Sequence, residues 1–566
     1  MRCNIKSRIF EFEIQKERKF TNMMFFLHVF RLKLTHTIDY LKNSIKFYLI
    51  LKNLEMTKTL AKLYFTLFTV LVAQSLFAQN TFTEKAGSYN INLDGLKDGG
   101  FSFGYLNNDD HLDLIVNTNQ DSVTHRTRIY FFNPATNSFD DVTEDKCAGC
   151  IADGLPGGNV MERSMVIADF NLDGNNDFVR NSANRIEIYF NNGLSNGFSF
   201  GQLPAQTPNF VLYTEDLRDA NPPFGIPGGM NTEGIGVLDY DNDGDLDLFV
   251  ENHNWAMEIY RNKGFGTGQF EYVPPTETGL PAGGLNPGDG DYASVTDFND
   301  DGFIDVIARK NEFIPYDFAV NNPLSPGTFV DGVDIQNADN DNKGAVSLYD
   351  FDNDGDFDLL WTSADSTVIY RKDKVGFTSL TSLTTGIATD IGNQIDGSAC
   401  GDIDNDGDID IFLANDSGPS FLFINQLNDP ELGPNTGSPF QFALDNRGIN
   451  LNADGEGSVF VDFDDDGDLD LYVNINDGPN QYWENNLNNS DFLNVKILEN
   501  RDANGNFLGI ERLALGATAK LKNCCGNVLS GVREVNGGNG HGTQDPSIIH
   551  FGLSGGVESE YILEVR

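Results

Sequence analysis

Short apolar runs alternate with acidic, glycine-containing turns along most of this chain. After an acidic turn comes a run such as 247–250 (Asp-Leu-Phe-Val) or 410–413 (Asp-Ile-Phe-Leu), then a polar turn and a second run such as 257–262 (Met-Glu-Ile-Tyr-Arg-Asn). Such runs are rich in β-branched and aromatic residues, and the second often ends near Asn or a basic residue. Because no convincing amphipathic helix separates them, the pattern predicts an all-β repeat protein.

The acidic turn itself has the composition of a calcium loop. In residues 462–470 (Asp-Phe-Asp-Asp-Asp-Gly-Asp-Leu-Asp), carboxylates at positions 1, 3 and 5 alternate along the chain, and Asp470 returns at position 9. Gly467 at position 6 allows a sharp turn, and the backbone carbonyl of Asp468 at position 7 is a further oxygen. Calcium takes six to eight oxygen ligands, so this spacing predicts a calcium site.

This loop is not an EF-hand, although the first six positions agree with one. An EF-hand needs a Glu at position 12 and a helix on each side. Position 12 is Val473, and the flanks 458–461 and 469–473 have strand character. We therefore expect the loop to join two strands.

The loop recurs at spacings of 52 to 70 residues, and chance turns do not explain so many copies. In the copy from Tyr105 to Asp113, Tyr105 replaces the first carboxylate and Asp110 replaces the glycine, so we expect weak or no metal binding there. The six full copies predict about six calcium ions. The predicted ligands, at positions 1, 3, 5, 7 and 9 of each full copy, are Asp169, Asn171, Asp173, Asn175, Asp177; Asp239, Asp241, Asp243, Asp245, Asp247; Asp297, Asn299, Asp301, Phe303, Asp305; Asp350, Asp352, Asp354, Asp356, Asp358; Asp402, Asp404, Asp406, Asp408, Asp410; and Asp462, Asp464, Asp466, Asp468, Asp470.

The length of the repeat predicts the architecture. A repeat of 52 to 70 residues suits a four-stranded sheet with its loops, and seven such sheets arranged radially make a β-propeller. We predict seven blades over residues 79–490. The alternative is an open array of separate calcium modules, against which the fairly even spacing counts.

Charge limits the classes of partner. The chain has 84 Asp and Glu against 38 Lys and Arg, a net charge of −46, and the seven loops contain 31 of the acids. Six calcium ions would return twelve positive charges. The acidic excess is thus partly a set of metal ligands, and it argues against nucleic acid or an anionic membrane surface as a partner.

The beginning of the chain differs from the rest. Residues 1–55 carry 11 Lys and Arg against 5 acids and no acidic loop. Residues 56–78, with a basic start and a mostly apolar run over 63–77, have the form of a secretory signal peptide. We interpret 1–55 as an upstream extension of the gene model, an authentic basic leader being the alternative. The apolar run is too short to span a membrane comfortably, so we expect a secreted or cell-surface protein without a transmembrane anchor in the mature chain.

Cysteines add little chemistry to this picture. Cys147 and Cys150 form a Cys-x-x-Cys pair that has neither the His of a haem site nor a second pair for zinc, so a local disulfide is expected. Cys400, just before a calcium loop, is expected to be a small buried core residue rather than a nucleophile. Cys524 and Cys525 are adjacent in the sequence.

The repeats resemble FG-GAP or VCBS repeats, the blade units of integrin α-chain propellers. The resemblance rests on the six full loops and on the pair Phe103-Gly104 before the first loop, and it covers about 400 residues. It implies a propeller with calcium on one rim.

The last segment, residues 491–566, has no acidic loop and resembles the ASPIC/UnbV domain of the cartilage acidic protein family. Three stretches match in order: 512–517 (Arg-Leu-Ala-Leu-Gly-Ala), 533–538 (Arg-Glu-Val-Asn-Gly-Gly) and 550–553 (His-Phe-Gly-Leu). Glu511 stands where the family usually has Asn. The family pattern also continues past Arg566 into a Trp-Pro-Ser-Gly stretch, which leaves open whether this domain is truncated. We therefore expect a small C-terminal β domain after the propeller.

No catalytic constellation is visible in the sequence. No Gly-x-Ser-x-Gly elbow, phosphate-binding loop or His-Glu-x-x-His motif occurs, and most clustered carboxylates are assigned to metal. Five histidines follow residue 78, namely His111, His125, His253, His541 and His550. His550 lies within the ASPIC/UnbV resemblance, and a structural role is expected for it.

We predict a secreted, calcium-stabilised propeller that is not an enzyme and acts as a binding or adhesion module for an extracellular protein or glycan. The alternatives are a carbohydrate-active enzyme or accessory subunit with carboxylates assembled across blades, and a purely structural envelope component.

Overall fold

A computed structural model describes residues 82–566, which lie in one compact unit. Internal gaps fall at 97–98, 108, 110, 122–124, 144–162, 183–184, 192–209, 215–230, 254–256, 265–268, 281–293, 308–317, 333–344, 363–366, 374–375, 388–394, 429–438, 488, 502–506, 539–541 and 554–559. The predicted leader, the signal peptide and the pair Cys147 and Cys150 lie outside the described residues. Within the described part of the chain, no helix has the length and apolarity needed to cross a bilayer.

The described residues form strands with two four-residue helices, α1 (Pro275–Thr278) and α2 (Ser382–Thr385), so the all-β prediction is confirmed. The strands before residue 490 are β1 (Thr83–Glu84), β2 (Phe101–Gly104), β3 (Asp113–Asp121), β4 (His125–Asn133), β5 (Ser138–Asp141), β6 (Met165–Ala168), β7 (Asp177–Ser182), β8 (Arg185–Asn191), β9 (Phe210–Thr214), β10 (Asn231–Leu238), β11 (Asp247–His253), β12 (Glu258–Asn262), β13 (Phe270–Val273), β14 (Ser294–Thr296), β15 (Asp305–Ile307), β16 (Phe318–Asn321), β17 (Phe329–Asp331), β18 (Val346–Tyr349), β19 (Asp358–Thr362), β20 (Thr367–Asp373), β21 (Gly376–Ser379), β22 (Ile395–Gly401), β23 (Asp410–Asn415), β24 (Phe421–Asn425), β25 (Phe442–Leu444), β26 (Gly455–Val461), β27 (Asp470–Ile475) and β28 (Gln481–Glu484).

These strands pair into seven antiparallel sheets, numbered here in chain order. Sheets 1 to 6 each contain four consecutive strands, from β2–β5 to β22–β25. Sheet 7 contains β26–β28 and takes its fourth strand, β1, from the other end of the described chain, with Thr83 opposite Glu484 and Glu84 opposite Trp483. The first and last sheets are therefore linked through the chain itself.

Buried apolar residues lie between neighbouring sheets. Each pair of consecutive sheets shares one hydrophobic cluster, as where Phe412 of sheet 6 meets Leu471 of sheet 7. A further cluster joins sheet 7 to sheet 1, where the rings of Phe101 and Tyr472 meet edge to face at 4.7 Å between centroids. The core is thus distributed over seven interfaces between sheets.

Asparagine side chains fasten these interfaces. Asn425, which ends the third strand of sheet 6, donates from Nδ2 to the carbonyl oxygen of Ile409 in its own sheet at 3.1 Å and to that of Phe351 in sheet 5 at 2.9 Å. The same two-carbonyl bridge is made by Asn191, Asn262, Asn321 and Asn485. In sheet 5, Lys372 reaches the carbonyl oxygen of Phe298 in sheet 4 instead.

The end of the chain forms a separate set of small sheets. Its strands are β29 (Phe492–Val495), β30 (Leu498–Arg501), β31 (Phe507–Leu513), β32 (Thr518–Asn523), β33 (Val528–Glu534), β34 (Thr543–Gln544), β35 (Ile549–Gly552) and β36 (Tyr561–Val565). They pair as β29–β35, β30–β31 and β33–β32–β36 around a core that includes Ile497, Leu521 and Phe551, while β34 joins sheet 1 beside β2.

The asparagine bridges generate a stability prediction. We expect Asn425→Leu to lower the free energy of unfolding by about 2 to 4 kcal/mol, because two buried carbonyl oxygens lose their donor at similar side-chain volume. Denaturant unfolding in saturating calcium measures the change. Asn133→Leu is the matched control, since Asn133 ends the third strand of sheet 1 but donates to the carboxylate of Asp140 at the surface. Equal effects of the two substitutions would contradict the bridging role.

Candidate metal-binding loops

Six full acidic loops join the first and second strands of sheets 2 to 7. Their position-6 glycines have φ between 88° and 108°, in the left-handed region that residues with a Cβ avoid. Position 4 is also left-handed, and it holds Asn or Asp in five of the six loops, the side chains that tolerate this conformation best. The sequence thus encodes a double left-handed turn.

The carboxylate at position 1 closes that turn. Asp402 accepts the N–H of Asp406 on Oδ1 at 3.0 Å and the N–H of Gly407 on Oδ2 at 2.8 Å. Asp239 makes the equivalent pair of bonds in its own loop, at 3.0 and 2.9 Å. Because these donors belong to the loop backbone, the chain itself orients the position-1 carboxylate.

The carboxylate at position 9 ties the loop to the sheet. In sheet 3, Asp247 accepts the N–H of Tyr240 at position 2 on Oδ2 at 3.1 Å, and that of Asn262 in the third strand on Oδ1 at 2.7 Å. An N–H of the third strand, or in sheet 7 that of Asn485 directly after it, reaches the position-9 carboxylate in every one of the seven loops, counting the incomplete one. All seven of these side chains are at most 1% exposed.

The structure brings carboxylates together in four loops. Oxygens from positions 1, 3 and 9 lie within 4.8 Å of one another in the loops of sheets 3, 5 and 6, and those from positions 1, 3 and 5 do so in sheet 7. The four groups are Asp239, Asp241 and Asp247; Asp350, Asp352 and Asp358; Asp402, Asp404 and Asp410; and Asp462, Asp464 and Asp466.

The loops of sheets 2 and 4 differ at position 3. There Asn171 and Asn299 replace the aspartate, and the side-chain oxygen of each accepts the N–H of position 5, at 3.0 and 2.9 Å. No group of three acids is brought together among the described residues of these two loops. An amide oxygen remains a suitable calcium ligand, so the ligand assignments there stay predictions, as does the backbone role of position 7.

The donor set fits a hard divalent cation. Oδ1 of Asp350, Oδ2 of Asp406 and Oδ1 of Asp462 are buried and accept no hydrogen bond from the described residues. A buried carboxylate oxygen without a hydrogen-bond donor is costly unless a cation lies beside it. Several such atoms on convergent carboxylates are the surroundings that calcium prefers.

Several buried acids of these loops have raised pKa values and so resist ionisation when no cation is bound. Burial raises the pKa of Asp402 to about 7, and repulsion from Asp404 adds to the rise. Burial likewise raises the pKa of Asp350 and Asp462 to about 7 and that of Asp358 to about 9. The pKa of Asp406 lies well above its usual range because of burial and the surrounding carboxylates.

The incomplete loop, from Tyr105 to Asp113, keeps the hydrogen bonds of its position-9 carboxylate but has no carboxylate at position 1. Asp113 accepts the N–H groups of Leu106 and Asn107 at 3.0 Å and that of Phe132 at 3.1 Å. At position 1, the ring of Tyr105 lies under the ammonium group of Lys496, 4.3 Å from the ring centroid. The loop thus retains its attachment to the sheet, and its predicted weak or absent metal binding stays a prediction.

His550, His111 and Cys400 make structural contacts in the described part of the chain. His550 Nδ1 lies 2.9 Å from Asn494 Oδ1, and its Nε2 lies 2.7 Å from Asn405 Oδ1. His111 Nδ1 lies 3.1 Å from Asp465 Oδ2. Cys400 packs against the core between sheets 5 and 6, and burial raises the pKa of its thiol. The side chains of His125 and His253 and the whole of His541 lie outside the described residues.

Sequence reasoning missed two sets of residues around the loops. The asparagine bridges left a trace in the sequence, because the second apolar run after a loop often ends near Asn or a basic residue. That pattern did not indicate which groups the asparagine would contact. The contacts of the C-terminal strands with the loops had no signal in the spacing of residues.

Two stretches of the chain, residues 239–308 and 350–413, match the FG-GAP-like repeat family. They contain the loops of sheets 3 to 6, so the FG-GAP resemblance is confirmed there. The resemblance of residues 491–566 to the ASPIC/UnbV domain stays a prediction. None of the curated proteins has a sequence that matches this chain significantly.

Solved structures overlap this chain only loosely. The structure of an Agrocybe aegerita lectin, which concerns specific recognition of non-reducing terminal N-acetylglucosamine, is 16% identical with a TM-score of 0.40 and covers 62% of this chain and 80% of the lectin. The extracellular domain of a one-component system from B. thetaiotaomicron is 11% identical with a TM-score of 0.37, covering 71% of this chain and 39% of its own. Scores at this level establish neither a shared fold nor a shared ligand.

The raised pKa values predict a pH-dependent response to calcium. The folded chain binds protons at Asp350, Asp402 and Asp462 more tightly than the unfolded chain does, so without calcium these groups stabilise the fold at low pH. That contribution is lost as the pH rises through about 7. The increase in Tm on adding saturating calcium should therefore be larger at pH 8 than at pH 5, as measured by thermal unfolding in matched buffers. An equal increase at both pH values would contradict this assignment.

Proposed function

We propose that this chain is a secreted, calcium-binding, seven-bladed β-propeller that serves as an extracellular binding or adhesion module. The observation that carries the proposal is the convergence of carboxylates in four loops, with buried oxygens that accept no hydrogen bond from the residues the structure describes. The two stretches of FG-GAP-like repeat support it. Secretion is supported by the signal-like composition of residues 56–78 and by the high concentration of calcium outside cells.

Seven blades closed into a ring are supported by the pairing and packing of the sheets. Each of sheets 1 to 6 shares a hydrophobic cluster with the next sheet, and sheet 7 shares one with sheet 1. Strand β1 adds a second link, because it brings the start of the described chain into sheet 7. An open array of separate modules would have no such contact between its ends.

Calcium has an electrostatic role in this proposal. Each loop concentrates several carboxylates at the end of a sheet where burial already opposes their ionisation. A divalent cation offsets both the repulsion and the loss of hydration, and so holds the loops in one conformation. The chain would then present a rigid surface to an extracellular protein or glycan.

The proposed role is binding without turnover. Saturable binding of a glycan or protein with no change in the ligand would support this role, whereas hydrolysis of a polysaccharide would overturn it. A glycan array followed by product analysis of every ligand retained separates the two results.

Calcium removal tests the proposal directly. We expect the secreted chain to bind about six ions by elemental analysis and to unfold at a markedly lower temperature in a chelator, because binding to the native state at a hundred times Kd adds about 2.7 kcal/mol for each site. Asp402→Asn should remove one ion. Asp140→Asn, which neutralises an exposed acid away from the loops, should remove none. No bound metal and an unchanged Tm would refute calcium binding.

A further inference from the structure

The C-terminal segment, defined here as residues 489–566, contacts the acidic loops of several sheets. Its backbone donates to the loops of sheets 5 and 6, and its side chains reach the loops of sheets 1, 3, 4 and 7. The contacts outside sheets 5 and 6 are Lys496 with Tyr105 in sheet 1, Arg512 with Gly244 in sheet 3, Arg566 with Asp300 in sheet 4 and Asn494 with Asp462 in sheet 7. The segment therefore lies over the end of the sheets that carries the loops, called the loop end below.

In sheets 5, 6 and 7, the C-terminal segment contacts the position-1 carboxylate of the loop, a group that is predicted to bind calcium. Asp350 Oδ2 accepts the N–H of Val532 at 2.8 Å in addition to that of its own loop glycine, Gly355, at 3.0 Å. Asp402 Oδ2 accepts the N–H of Gly552 at 3.0 Å. In sheet 7, Asp462 Oδ2 accepts from Asn494 Nδ2 at 2.9 Å.

On two of these aspartates the second oxygen is left for a cation. Oδ1 of Asp350 and Oδ1 of Asp462 are buried and accept no hydrogen bond from the described residues. Each carboxylate can thus hold the C-terminal segment with one oxygen and a metal ion with the other. Docking of the segment and binding of the metal ion therefore depend on the same carboxylate.

Two buried arginines of the segment lie near acids of the loops. Arg512, 5% exposed, donates to the carbonyl oxygen of Gly244 at 2.7 Å, and its charge opposes the rise in the pKa of Asp239. Arg533, 6% exposed, acts on Asp350 and Asp402 in the same direction. The segment brings seven Lys and Arg with nine acids, so it is nearly neutral beside strongly acidic sheets.

The segment also pairs with the first strands of three sheets. Strand β34 runs parallel to β2 of sheet 1, with Thr543 opposite Phe101. Gln544 Oε1 accepts the N–H of Ile167 in sheet 2 at 2.8 Å, and the carbonyl oxygen of Gly537 accepts that of Val237 in sheet 3 at 2.9 Å. Backbone groups of first strands are therefore satisfied by the segment.

We propose that the C-terminal segment is a calcium-dependent cap, which docks on the loop end when the loops are loaded and loosens when they are emptied. The inference rests on the calcium binding proposed above and goes beyond it. An ion on the free oxygen of Asp350 or Asp462 fixes the carboxylate that receives the segment, and the docked segment excludes water from the loop. By linkage, each event strengthens the other. The docked segment then occupies part of the loop end, so less of the surface formed by the loops is open to an extracellular partner.

Hydrogen exchange of the full secreted chain, followed by mass spectrometry with and without a calcium chelator, tests this proposal. Peptides from β29, β33 and β35 should exchange between about 5-fold and 150-fold faster in the chelator, the range typical of coupled sites. Faster exchange in the sheets with unchanged exchange in these three strands would overturn the cap while leaving calcium binding intact. Absence of bound calcium would overturn both proposals.

Variants test the reciprocal effect. A methyl group added at Gly552 would overlap Asp402 Oδ2, so Gly552→Ala should release the cap and weaken calcium binding measured by titration calorimetry by a factor similar to that seen in exchange. Asn494→Ala, which removes only the bond to Asp462 and the contact with His550, is a milder second variant in case Gly552→Ala does not fold.

Lys522→Met is the matched control. It lies in the same segment, on β32, and its ammonium group pairs with Glu564 at 2.6 Å rather than with a loop. We expect its calcium affinity and exchange to equal those of the parent chain. If Asn494→Ala also bound calcium with the parent affinity, the linkage between cap and loops would be refuted.

Discussion

The sheets depend on the hydrogen bonds that the buried aspartate at position 9 of each loop accepts from the backbone. This aspartate receives an N–H from the third strand, or from the residue directly after that strand, in all seven sheets, and in five of them its other oxygen receives the N–H of position 2. The residue that donates from the third strand is in five sheets the asparagine whose side chain then reaches the neighbouring sheet. One carboxylate thus connects the acidic loop, the sheet and the interface between sheets.

This arrangement has an electrostatic consequence. A fully buried carboxylate is tolerated because backbone N–H groups hold it, but positions 1, 3 and 5 add further acids within a few ångströms. Their repulsion grows in the low dielectric of a covered loop. Two sources of positive charge are available to offset it, a divalent ion and the arginines of the C-terminal segment. Arg512 and Arg533 lie too far along the chain to shape the loops locally, so their contribution depends on how the segment docks.

The sequence allowed the loops, the strands and the all-β class to be predicted because these features are local. Nine residues contain the ligands and the turn, and the apolar runs beside them have strand composition. The asparagine bridges could not be predicted in the same way, since Asn262 and the carbonyl of Phe170 are 92 residues apart. The C-terminal segment was expected to follow the propeller as a small β domain. Its contacts with the loops depend on surfaces that form only after both parts have folded.

The incomplete loop shows that the position-1 and position-9 acids have different roles. Tyr105 has replaced the position-1 ligand, yet Asp113 still accepts three backbone N–H groups and sheet 1 keeps its place against both neighbours. The position-9 acid therefore keeps its bonds to the loop and the sheet even where position 1 is not an acid. Where position 1 is an aspartate, its oxygens bind the loop backbone and, in sheets 5, 6 and 7, the C-terminal segment as well. Loss of the position-1 acid of sheet 5, 6 or 7 should then remove a proposed calcium ligand and one contact with the C-terminal segment, whereas loss of a position-9 acid should detach the loop from the sheet.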